Sequence, residues 1–69
     1  MFILELDVER TRDNFLRSGR KYASYAAIHG WSAASFRSYM IGADPLRPGS
    51  RAWNKYVTVL ERDGIAVFR

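Results

Sequence analysis

"AAIHGWSAASFRSYMIG", residues 26–42, reads as the end of one helix, a glycine turn and a second short helix. The second helix opens on Ser32, Ala33, Ala34 and Ser35, with no large side chain before Phe36. Arg37 follows at once. A helix whose only task is packing has no use for so bare a start. Small residues there let the backbone approach another surface closely, and an arginine one turn in can reach it.

Upstream, Tyr22, Tyr25, Ala26 and His29 lie at i, i+3, i+4 and i+7, which predicts a helix over 21–29. Ala23, Ala26 and Ala27 are small enough to let another helix come close. Gly30 ends this helix, since glycine takes the left-handed conformation without steric cost. Ser32 is the expected N-cap of the next helix, 32–41, with Phe36, Tyr39 and Met40 as its apolar stripe and Gly42 as its stop.

Further out, Asp7 is a good N-cap for a first helix that carries Val8, Thr11, Phe15 and Leu16 at helical spacing as far as Ser18, with Gly19 after it. "ADPLRPGS" (43–50) cannot continue a helix, because it holds two prolines and a glycine. Ser50 caps a fourth helix in which Trp53, Tyr56, Val57 and Leu60 repeat at i, i+3, i+4 and i+7, and Gly64 stops it. The short apolar runs "FILEL" (2–6) and "IAVFR" (65–69) are open to pairing as a two-stranded ribbon, within one chain or across a dimer. The expected fold is one mainly α domain, 1–69, of four helices, with room for short terminal strands.

The pair around Gly30 fits a helix-turn-helix, with its core at about 21–41. In that motif a small residue stands four positions before the turn glycine, so that the two helices can cross closely. Here these are Ala26 and Gly30, with Tyr25, Trp31, Phe36 and Tyr39 at the apolar positions. The second helix of such a pair places its N-terminal residues against base edges in the major groove. Ser32, Ala33, Ala34, Ser35, Arg37 and Ser38 are therefore the candidate base readers. Arg37 suits a bidentate contact to guanine, and alanine methyls suit thymine methyls. Arg20, Lys21 and Tyr22 at the start of the preceding helix are candidate phosphate contacts, as are Arg47, Arg51 and Lys55 near the fourth.

The charge distribution agrees. The 69 residues carry a formal net charge of +4, but between Asn14 and Leu60 seven basic residues face one acid, Asp44, giving +6. A basic middle between acidic ends implies one positive face, for which nucleic acid is the commonest partner. A chain of this size buries only about 60% of its unfolded surface, and there is no cysteine to staple it, so self-association is a natural source of extra stability. No run approaches the roughly 20 apolar residues of a membrane span, and the start lacks the basic region of a secretory signal. The expectation is a soluble, cytoplasmic protein.

"NFLRSGRKYASYAAIHGWSAASFRSYMIG" resembles the short phage-encoded helix-turn-helix proteins of Mu-like transposable phages and related prophages. The matching residues are Phe15, Arg17, Gly19, Ala26, His29, Gly30, Trp31, Ser32 and Gly42, and "GSR" (49–51) is also similar to the family. The resemblance covers about Asn14 to Gly64; "MFILEL" and "IAVFR" fall outside it. More loosely, the helix order is similar to the Ner-type negative regulators and the lambda-repressor-like fold. The resemblance implies a small regulator that binds operator DNA, often as a homodimer, in a phage or prophage.

Other residues read more plainly. His29, the single histidine, has no partner for a metal site or a catalytic dyad and suits a helix end. Trp31 and Trp53 suit the core, and the acids at 5, 7, 9 and 13 suit capping and solvation. There is no nucleophile–base pair and no glycine-rich phosphate loop, so neither catalysis nor a cofactor nor a small-molecule substrate is expected. Two rival readings stand beside a sequence-specific transcription regulator. One is an architectural, excisionase-like protein that bends DNA. The other is a small phage factor that docks on a host protein through "FILEL" and "IAVFR".

Overall fold

The computed structural model describes residues 5–69. Residues 2–4 of the "FILEL" run lie outside the described part.

Four helical stretches follow one another: α1 (Val8–Arg17), α2 (Tyr22–His29), α3 (Ala33–Met40) and a fourth over residues 51–62. The starts are set by side-chain caps. The Asp7 carboxylate accepts from the Arg10 amide at 3.1 Å, and Ser32 and Ser50 hydroxyls accept from the amides of Ser35 and Trp53 at 3.4 and 3.1 Å. Each satisfies an amide that has no partner within its own helix. Lys21 stands at the N-cap of α2 without a capping bond, so that helix begins one residue later than its apolar spacing predicts.

Three of the ends share one construction. At the end of α2, Gly30 sits at φ +72° while its amide donates to Ala27 O and the Trp31 amide to Ala26 O at 2.8 Å. Tyr39 O and Ser38 O play these parts for Gly42 and Ala43, and Glu61 O and Leu60 O do so for Gly64 and Ile65. This Schellman arrangement needs a left-handed residue and turns the chain sharply, placing the following residue back against the helix. Thus Ile65 is buried beside Leu60, and Trp31 packs on the core that holds Ala26.

The core is aromatic. Phe15 of α1 and Phe36 of α3 are fully buried with ring centroids 5.6 Å apart, and Tyr25 meets Phe15 edge-on at 5.2 Å. Tyr56 of the fourth stretch reaches Phe36 at 5.7 Å and Trp31 at 4.8 Å. Burial of each such side chain contributes about 1.5–3 kcal/mol. Ala26 is fully buried at the crossing of α2 and α3, as its small size predicts, whereas Ala23 and Ala27 face solvent and serve no crossing.

Two expectations need correction. Leu16, placed in the apolar stripe of α1, is 51% exposed. Thr11 and Phe15 define the buried side, and Leu16 is turned about 100° from Phe15. The fourth stretch is also not a regular α-helix. Residues Trp53–Val57 form a π-helical turn before Thr58–Arg62 (α4) resumes the α form. Tyr56, Val57 and Leu60 are all buried, and the half-buried Trp53 has its ring centroid 6.1 Å from that of Phe68.

Residues 5–7 pair with residues 67–69 within the chain. Leu6 faces Phe68 in one antiparallel bridge, flanked by Asp7 N to Val67 O at 2.8 Å and Arg69 N to Glu5 O at 2.9 Å. Thr11, fully buried on α1, clamps the same segment. Its hydroxyl accepts from the Val67 amide at 2.9 Å and donates to the Val67 carbonyl at 3.4 Å.

Candidate nucleic-acid interface

Gly30 fixes how α3 leaves α2, and the fully buried Ala26 lets the two helices meet closely. On α3, Phe36 and Met40 are buried and hold one side of the helix to α1 and α2. The six candidate readers divide accordingly. Ser32, Ala33, Ala34, Ser35 and Arg37 are exposed. Ser38 is half-buried, and its carbonyl is occupied by the amides of Ala43 and Asp44. Ala34 and Arg37 lie one turn apart on the outer side, and Ile41, 43% exposed, continues that line a further turn on. Ile41 was not marked by its sequence context. Its place follows only once Phe36 and Met40 are known to point inward.

Two grooves hold candidate phosphate contacts, and the smaller of them borders α3. The smaller, about 320 Å³, lies between α3 and the fourth stretch and is lined by Ser35, Tyr39, Arg51, Ala52, Lys55 and Tyr56. It brings the candidate reader Ser35 together with the candidate phosphate contacts Arg51 and Lys55. The Lys55 ammonium lies 5.4 Å over the Tyr56 ring, which orients it without neutralising it. The larger groove, about 620 Å³, runs along α2 to the end of α4, and Arg20, Lys21, Ser24, Ile28 and Arg62 are among its walls. Arg47 lines neither groove; it is exposed in the 43–50 connection.

Tyr22 differs from its neighbours Arg20 and Lys21. Those two are exposed, but the Tyr22 ring is half-buried, stacked on Phe15 at 5.2 Å and edge-on to Phe36 at 6.0 Å. Its ring therefore belongs to packing.

His29 closes α2 from inside. Its Nδ1 lies 2.9 Å from the Tyr25 carbonyl, which can only accept, so Nδ1 carries the proton. The imidazole stacks on Trp31 at 4.5 Å. Among the described residues no group of three or more His, Cys, Asp or Glu side chains is placed to hold a metal ion. Among the described residues no helix is long and apolar enough to cross a membrane either.

One pairing was invisible in the sequence. The Tyr25 hydroxyl donates to Asp63 Oδ2 at 2.5 Å across the larger groove, 38 residues away. Burial, then the Asp63 carboxylate, push the Tyr25 phenol well above the ordinary tyrosine range. The hydrogen bond from Tyr25 holds the Asp63 carboxyl below the usual carboxylate range, with help from Arg62. Tyr25 thus stays protonated and Asp63 ionised at neutral pH.

Comparison with protein-family models, curated proteins and solved structures matched nothing.

Proposed function

We propose that this chain is a sequence-specific DNA-binding regulator that inserts α3 into the major groove. The observation that carries the reading is the division of α3 into two sides. Phe36 and Met40 anchor one side, Ala34 and Arg37 stand exposed on the other, and the helix start is free of bulk. Arg37 reads guanine through two hydrogen bonds, and the alanine methyls meet thymine methyls. Arg20 and Lys21 on one flank and Arg47, Arg51 and Lys55 on the other are exposed cations suited to phosphates.

The length of α3 argues for a homodimer on DNA. Eight residues rise about 12 Å, which spans three to four base pairs at about 3.4 Å each. So short a reading frame gains useful specificity when a second copy reads a half-site about 34 Å away. The resemblance to the Mu-like phage proteins supports the same reading, a phage or prophage regulator acting in the bacterial cytoplasm.

Docking on a host protein through the terminal apolar segments has less support. Leu6 and Ile65 are buried within the chain, and Ala66, Val67 and Phe68 are half-buried. Selection from a library of random duplexes tests the proposal. Enrichment of one motif containing guanine, repeated with two-fold symmetry, is the expected result; a pool that stays random contradicts it.

A further inference from the structure

Resting on the DNA-binding reading, we propose that the larger groove is a phosphate clamp in which Arg62 acts together with Arg20 and Lys21. In the sequence Arg62 stands between Glu61 and Asp63 and gives no sign of belonging to the basic middle of the chain. The fold carries it to the start of α2, where Arg20, Lys21 and Arg62 line one groove of about 620 Å³. The Tyr25–Asp63 hydrogen bond is the tether that brings the end of α4 there.

The acid in the groove offsets only one of these three charges. Asp63 spends one carboxylate oxygen on the Tyr25 hydroxyl and the other on Arg62 Nε at 3.6 Å, and its side chain is only 27% exposed. The Arg62 side chain is 67% exposed, and the contact through Nε leaves its terminal nitrogens for another acceptor. Three cations against one internally engaged acid fit a single phosphate group. The guanidinium of Arg20 lies 6.0 Å over the Tyr25 ring, which holds it on the same wall. A phosphodiester of the DNA backbone and a free phosphate share this chemistry; the position beside the start of α2 favours the former.

The test is the salt dependence of DNA binding for the whole protein and for Arg62→Ala, with Arg20→Ala as the comparison. Loss of one phosphate contact makes the slope of log K against log salt shallower by about 0.9 and leaves the ratio of specific to scrambled DNA unchanged. Arg62→Ala is expected to show this, and Asp63→Asn is expected to bind DNA more tightly. A slope unchanged in Arg62→Ala but shallower in Arg20→Ala overturns the clamp and leaves the DNA reading standing. Absence of any DNA binding by the unaltered protein overturns the reading itself. A shift of the Arg62 Nε resonance on titration with inorganic phosphate in that case assigns the groove to the free ion and overturns its role on DNA.

Discussion

The Thr11 hydroxyl accepts a hydrogen bond from the Val67 amide at 2.9 Å, joining the first helix to a segment 56 residues further on. Thr11 is fully buried, and its hydroxyl also donates to the Val67 carbonyl. Thr11→Val keeps the shape but leaves the Val67 amide without its acceptor, while the Val67 carbonyl keeps the Asp7 amide as a donor. An unsatisfied buried group costs about 1–3 kcal/mol. In a domain of this size that lowers the melting temperature by about 4–8 °C per kcal/mol. Calorimetry of Thr11→Val and Thr11→Ser checks this. Serine keeps the hydroxyl and should retain most of the stability.

Gly30 is at φ +72°, and a Cβ added there would meet nothing within 4 Å. The cost of Gly30→Ala is therefore backbone strain alone, about 1–2 kcal/mol. Urea denaturation should show that loss. Because Gly30 also sets the angle between α2 and α3, DNA affinity should fall by more than the folded fraction explains.

Ala26 tests the crossing itself. It is fully buried among Phe15, Tyr25 and Phe36 in the core. Ala26→Leu forces extra methylenes into that space, at a cost of about 1–3 kcal/mol or more. Ala27→Leu, one residue on but exposed, is expected to change stability little. Equal losses in the two variants would contradict a close crossing at Ala26.

The Tyr25–Asp63 pair predicts a pH dependence with two limbs. Asp63 has a depressed folded value, so its contribution is present above the ordinary carboxylate range and is lost as the pH falls through the depressed value. Tyr25 has a raised folded value, so its contribution is complete below the ordinary tyrosine value and is lost as the pH rises beyond it. Melting temperatures measured across pH should fall at both extremes. Tyr25→Phe should flatten both limbs, because it removes the hydroxyl that couples them.

The contrast between Ala26 and Thr11 shows what the sequence could carry. Caps at Asp7, Ser32 and Ser50, the glycine stops and the buried Ala26 are local features, set within four residues of where they act, and they were legible. The bonds from Thr11 to Val67 and from Tyr25 to Asp63 join residues far apart, and no local pattern encodes them. Leu16 was misplaced because Phe15 and Leu16 are adjacent apolar residues and only one faces the core. The π-helical turn at Trp53–Val57 was missed because Trp53, Tyr56, Val57 and Leu60 satisfy a regular helical repeat equally well. The Ser32-capped start of α3 and its run of small residues were legible in the sequence. Arg62 was not, since its place beside Arg20 depends on the whole fold.

The most direct test of the central claim is fluorescence-anisotropy binding to the selected DNA and to a scrambled duplex at two salt concentrations, for the unaltered protein and Arg37→Ala. The reading predicts a preference for the selected DNA that survives the higher salt and is reduced by about 1–3 kcal/mol in Arg37→Ala, with binding to scrambled DNA little changed. Equal, weak binding to both duplexes that disappears with salt, and is no different in Arg37→Ala, would contradict it.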